Sequence, residues 1–153
     1  MFRGYFEHNI NNQGRVSLPS CMRSVLKEDF KSNRVVMVGL PDHIEVYPEQ
    51  AYRKIESTDI DLTSDDPRVF QYLVVAHYNV FPTEIDGNGR ILLPQKLRND
   101  LGLEREVVIV GLMNRILIFH PEQWSSFLGE AMERHPDNSM VVSKLRNPRN
   151  RGE

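Results

Sequence analysis

Asp86-Gly87-Asn88-Gly89-Arg90-Ile91-Leu92-Leu93-Pro94 decides the fold, because the chain carries this stretch twice. The other copy, Asn11-Asn12-Gln13-Gly14-Arg15-Val16-Ser17-Leu18-Pro19, lies 75 positions earlier. At the same offset Phe6 falls on Phe81, Ile10 on Ile85, Arg23 on Arg98 and Leu26 on Leu101. Further along, Val-Val-Met-Val-Gly-Leu at 35–40 returns as Val-Val-Ile-Val-Gly-Leu at 107–112, now 72 positions on. The first copy therefore holds three extra residues, expected around 29–32. Pro48-Glu49-Gln50 returns as Pro121-Glu122-Gln123. The chain is an internal duplication, and every element has to be read against that period.

Each copy reads the same way. An alternating run enters a four-residue turn that ends in Gly, and Arg opens a second short run with apolar residues at every other position. Gly14 and Gly89 stand where such a hairpin needs a left-handed residue. Arg15 and Arg90 follow directly, at the base of a projecting turn, where binding residues on a rigid β scaffold tend to sit.

At 153 residues the duplication gives two halves of about 75. Each alone buries too small a fraction of its surface to be robust, so the halves are expected to pair into one barrel or sandwich. With 40% hydrophobic and 26% charged residues, the composition is that of a globular protein. No run approaches a membrane span, and Met1-Phe2-Arg3-Gly4 lacks the apolar core of a signal peptide. The single cysteine, Cys21, cannot form an intrachain disulfide, so a cytoplasmic location is expected. Net charge is only −2, but it is unevenly spread. Arg3, Arg15 and Arg23 face Glu7 alone in residues 1–23, residues 45–68 are acidic, and the tail from Arg134 is basic. An electropositive face on a near-neutral particle suits a polyanion such as DNA.

In chain order, residues 4–10 read as a strand with Phe6, His8 and Ile10 on one face. A second strand spans 15–18. Pro19 opens a helix whose stripe is Met22, Val25, Leu26 and Phe30. Strands follow at 34–39 and 44–47, then a helix at 48–56 and a polar link at 57–63. Ser64, Asp65 and Asp66 before Pro67 mark another helix start, carrying Val69, Phe70, Leu73, Val74 and Ala76. The second half repeats the order: strands at 79–85 and 90–93, a helix from Pro94 stopped by Gly102, a hairpin from 106–110 and 115–119, and a helix from Pro121 with Trp124, Phe127, Leu128 and Ala131. The predicted domains are 1–76 (core about 4–50) and 77–135 (core about 79–122), followed by a polar, basic tail at 136–153 expected to be disordered. The fold class is mainly β with short helices, α+β.

Arginine's planar fork pairs with phosphate or with guanine O6 and N7, and Gln13 and Asn88 are residue types that read adenine. Gly14 and Gly89 would let a sugar-phosphate strand approach the backbone. The alternative for the arginines is pairing with acids at the rim, Asp86 being the acid nearest Arg90 in sequence. The candidate DNA-binding set is thus Arg15, Arg90, Gly14, Gly89, Gln13 and Asn88, with Arg3 from the basic N-terminal stretch. Catalysis finds no support. The five histidines lack metal-ligand spacing, Gly87-Asn88-Gly89 has no third glycine and leads into a strand, and neither a Walker loop nor a nucleophile elbow is present. No catalytic, cofactor or metal site is expected, and no small-molecule substrate. The competing class is an oligomeric scaffold that binds protein without reading DNA.

Asp-x-x-Gly-Arg-x-x-Leu-Pro given twice, opened by Met1-Phe2-Arg3-Gly4, resembles the bacterial MraZ family over all but the tail. The resemblance implies tandem AbrB/SpoVT-like swapped-hairpin halves pairing into a pseudo-symmetric barrel. It also implies a nucleoid-associated transcriptional regulator of the division and cell-wall gene cluster, its own promoter included. Such proteins resemble closed-ring homo-oligomers that bind tandem promoter repeats through the turn arginines. Two positions depart from the pattern: Asn11 replaces Asp, and Gln13 stands where Lys is frequent in the family.

Overall fold

The repeated alternation of apolar and polar residues produces eight short strands, and their pairing joins the two copies rather than separating them. The computed structural model describes residues 1–147 and 149. The first copy contributes β1 (Tyr5–Asn9), β2 (Arg15–Ser17), α1 (Ser20–Asp29), β3 (Arg34–Gly39), β4 (Ile44–Pro48) and α2 (Glu49–Asp59). After α3 (Pro67–His77), the second contributes β5 (Val80–Glu84), β6 (Arg90–Leu92), α4 (Gln95–Leu101), β7 (Glu106–Leu112), β8 (Arg115–Phe119) and α5 (Pro121–Arg146). The architecture is mixed α+β with antiparallel strands throughout.

Six strands form one sheet in the order β1-β7-β8-β4-β3-β5, and β2 pairs with β6 in a separate ribbon. Exchanging the copies (β1 for β5, β3 for β7, β4 for β8) reverses the sheet order without changing it, which is the mark of a pseudo-twofold. Register obeys the same symmetry. Tyr5 faces Val110 and Val80 faces Val38. Val16 faces Ile91 at the ribbon's centre, and Glu45 faces Leu117 at the sheet's centre. Each copy's leading strand is therefore paired with the other copy, β1 on β7 and β5 on β3.

One apolar cluster fills the space between sheet, ribbon and helices. It includes Val16 and Ile91 from the ribbon, Met22 and Leu26 from α1, Leu97 from α4, and Met37, Ile44, Ile109 and Ile118 from the sheet. The predicted α1 stripe is in place: Met22 and Leu26 are buried, with Val25 and Phe30 packed against the cluster. A smaller cluster joins Val36, Val38 and Tyr47 to Ala51 and Tyr52 of α2.

Three features refine the sequence reading. First, α1 has 10 residues where α4 has 7, so the three extra residues largely extend a helix. Second, all eight strands and α1–α4 lie in one compact unit, Met1–Pro121, while Glu122–Glu153, which holds nearly all of α5, forms another. Third, the chain expected to be disordered from 136 is helical as far as Arg146, with Pro136 inside α5. Proline there removes one hydrogen bond and crowds the preceding turn, a cost the rest of the helix can offset. Glu130 pairs with Arg134 at 2.8 Å, His135 meets Ser139 at 3.4 Å across the proline, and Lys144 and Arg146 sit in the last turn where the dipole favours cations. Of the predicted tail, residues 148 and 150–153 lie outside the described residues.

Candidate nucleic-acid interface

Each turn is built by one short acceptor side chain. Asn11 Oδ1 accepts from the N–H of Gln13 at 2.9 Å and of Arg15 at 2.9 Å. Asp86 Oδ1 does the same for Asn88 at 2.8 Å and Arg90 at 3.0 Å. Gly14 N–H donates to the Asn11 carbonyl and Gly89 N–H to the Asp86 carbonyl, both at 3.0 Å. The exchange of Asp for Asn in the first copy is thus structurally silent, because only one carbonyl-type oxygen is needed. Electrostatically it is not silent. The Asp86 carboxyl is held below its ordinary range, first by the Arg90 N–H, with desolvation opposing, then by the Asn88 N–H and the charges of Arg15 and Arg90.

Gly14 (φ +81°) and Gly89 (φ +75°) take the left-handed backbone the turn requires. Their second role differs from the expected one. Both are buried. A Cβ on Gly14 would lie 2.8 Å from Arg98 Cζ, and one on Gly89 would run into the Arg23 side chain. The space where a sugar-phosphate strand was expected to approach is filled by an arginine of the opposite copy. The Gly14 carbonyl also accepts from Leu93 N–H at 2.9 Å and the Gly89 carbonyl from Leu18 N–H at 3.0 Å, stitching each turn to the other copy.

The turns deliver their arginines onto one face of the ribbon. In β2 and β6, Val16 and Ile91 point inward at 0% exposure, so Arg15, Ser17, Arg90 and Leu92 share the outer face. Arg15 lies opposite Leu92 and Arg90 opposite Ser17. The two arginines are therefore diagonal neighbours related by the pseudo-twofold, about 7–8 Å apart at the backbone.

Sequence proximity assigned Asp86 to the wrong arginine. Arg15 Nε lies 3.8 Å from Asp86 Oδ2 across the pseudo-twofold, and Arg15 Nη1 donates to Gln13 Oε1 at 2.7 Å. Arg90 is exposed and, among the described residues, its side chain makes no ion pair or hydrogen bond. Gln13 thus orients Arg15 instead of standing free, while Asn88 is exposed at the second turn. Arg3 is not brought to this face. It follows Phe2, which bridges Met113 beyond β7, so the five residues of β1, about 17 Å of extended chain, lie between it and the first turn. Sequence reasoning missed Arg23 and Arg98 as members of the site. Both had surfaced in the repeat as matched arginines, one turn inside helices that follow the ribbon strands. Arg98 is committed locally, with Nε donating to the Leu93 carbonyl at 2.9 Å and Nη2 to Gln95 Oε1 at 3.0 Å.

With this geometry in hand, the family comparison is unambiguous: a model described as "MraZ protein, putative antitoxin-like" matches residues 1–72 and again 79–143. The chain belongs to the MraZ family. The double match coincides with the two copies and breaks inside the linking region around α3. Individual relatives agree. A protein of Halothermothrix orenii named transcriptional regulator MraZ is 33% identical, over 95% of this chain and 99% of its own. Namesakes from Natranaerobius thermophilus (34%, over 86% of this chain and 89% of theirs) and Thermomicrobium roseum (35%, over 82% and 86%) match similarly.

Proposed function

We propose that this chain is a cytoplasmic, nucleoid-associated transcription regulator that reads duplex DNA with the β2–β6 ribbon and its two turns. The observation that carries the reading is the outer face of that ribbon, where Arg15 and Arg90 stand as a symmetric pair beside Ser17. Arginine forks at this spacing suit guanine edges or phosphates, and the relatives' printed names concern transcription. Arg90 and Arg15 make the principal contacts, Asn88 and Gln13 reach base edges or set the arginines, and Gly14 and Gly89 hold the turns. Arg3, a strand's length away, serves only as a flanking phosphate contact. The two repeats, 1–76 and 77–135, act as one swapped-hairpin barrel, and the role is binding without catalysis.

The targets are tandem promoter repeats of the division and cell-wall cluster, bound by a closed ring of identical subunits. Support for assembly comes from α3, which leaves Phe70 70% exposed beside Val74 and Val75, and from a groove of about 440 Å³ lined by Ile60, Phe70, Leu73 and Val74. Apolar patches of this kind mark interaction sites, and closed symmetry avoids open-ended fibres. The same patch favours the second reading, an oligomeric scaffold without DNA readout. Fluorescence anisotropy on a promoter-repeat duplex and a scrambled one, with light scattering, separates the two. Preference for the promoter duplex that Arg90→Ala removes, at a mass several times 17.8 kDa, is expected. Equal binding of both duplexes would leave the scaffold, and a 17.8 kDa particle would overturn the ring.

A further inference from the structure

Beside the second turn lies a groove of about 840 Å³ whose walls include Arg23, Lys27 and Lys31 on one side and the Asp86–Gly89 turn on the other. Its cations are arranged by the local fold. Arg23 and Lys27 are one helical turn apart on α1, about 6 Å along the axis. Lys31 follows the helix end on a left-handed backbone, φ +49°, an uncommon conformation for a residue with a side chain. Among the described residues none of the three side chains makes an ion pair or hydrogen bond. The one acid on the walls, Asp86, already serves two turn N–H groups and faces Arg15. Arg23 packs on Gly89, immediately before Arg90, so the groove begins where the ribbon face ends.

The lysines belong to the first copy alone. Lys27 corresponds to Gly102, which ends α4 in the left-handed conformation, and Lys31, at the 72-residue offset of β3, corresponds to Leu103. Three unpartnered cations along one groove wall form a strip of positive charge that suits a DNA strand, a polyanion with one charge per about 3.4 Å of axis. Lysine, a hydrated point charge, fits phosphate contact rather than base reading.

We propose that this groove is a sequence-independent contact for the DNA backbone, flanking the second turn and engaging phosphates through Arg23, Lys27 and Lys31. The inference rests on the reading of the ribbon as a DNA-binding face. The test is a Lys27→Ala/Lys31→Ala variant of the full chain, titrated against a promoter-repeat duplex and an unrelated duplex over a range of salt. Lys54→Ala on α2 controls for lost charge, and Lys27→Arg/Lys31→Arg controls for charge kept. Losing two phosphate contacts per engaged ribbon lowers the log–log salt slope by about 1.8 for each ribbon engaged and weakens both duplexes by the same factor, roughly thirtyfold per ribbon at about 0.15 M salt. The arginine variant retains slope and affinity, and the Lys54→Ala slope is unchanged. A wild-type slope in the double alanine variant, with wild-type DNA still tightly bound, overturns the groove while leaving the ribbon reading intact. Absence of salt-dependent binding by the wild-type chain overturns both.

Discussion

Asp86→Asn should tighten DNA binding, the opposite of what removing a residue from the proposed binding turn would ordinarily do. Asn11 shows that the turn survives: its Oδ1 makes the same two hydrogen bonds, at 2.9 Å each, that Asp86 makes at 2.8 and 3.0 Å. The substitution removes the one acid facing Arg15 at 3.8 Å. Arg15, Arg90 and Asp86 together then rise in net charge from +1 to +2. If the released Arg15 neutralises one further phosphate per engaged ribbon, the salt slope steepens by about 0.9, a gain of roughly fivefold at about 0.15 M salt and fifteenfold at about 0.05 M. Anisotropy titrations at these two salt concentrations, with oligomer mass checked, measure it. Unchanged or weaker binding at low salt by an intact assembly would refute the idea that Asp86 restrains Arg15.

Arg90→Ala should cost more affinity than Arg15→Ala. A bidentate contact is worth about 1–3 kcal/mol, and Arg15 must first leave Gln13 and Asp86; competition titrations of the two variants rank them. Gly89→Ala should destabilise by about 1–2 kcal/mol, because alanine is strained at φ +75° and its methyl displaces Arg23, whereas Gly87→Ala, with open space around it, should be close to neutral in chemical denaturation. His43 is expected to make stability pH-dependent. Burial disfavours its charge, but hydrogen bonds to Glu45 and Asp42 outweigh that and raise its pKa above the usual 6.5. Its contribution is therefore complete below the unfolded-state value and fades as pH rises through the folded one; unfolding midpoints measured between pH 6 and 9 should flatten in His43→Gln.

Much of the fold was legible because local rules govern it. Pro19 and Pro94 before the helices, the acidic residues before Pro67, Gly102 after α4 and the strict alternation of β1 each act over a few residues. What escaped was set by contacts between the copies. Nothing near Arg15 in sequence points to Asp86, and nothing near Gly14 points to Arg98, because both neighbours arrive through ribbon pairing. The helix beyond Pro136 escaped for another reason: residues 136–146 look polar and breaker-led, yet the chain is helical to Arg146, with His135 and Ser139 meeting across the proline and Lys144 and Arg146 in the last turn. The placing of Arg15, Arg90, Gly14, Gly89, Gln13 and Asn88 on the two turns and the ribbon was thus readable, while the distance of Arg3, the presence of Arg23 and Arg98 and the pairing between the copies were not.

Tethering has one more outcome. Were the two copies separate polypeptides, the pairing of β1 with β7, of β5 with β3 and of β2 with β6 would be a bimolecular equilibrium, lost on dilution. Linked through α3, the strands meet at an effective concentration fixed by the connecting chain. The ribbon and its turns therefore form at any cellular abundance of the protein. Under the proposed function, only the assembly of several chains would answer to copy number, which would make occupancy of an array, rather than the shape of the ribbon, the concentration-sensitive step.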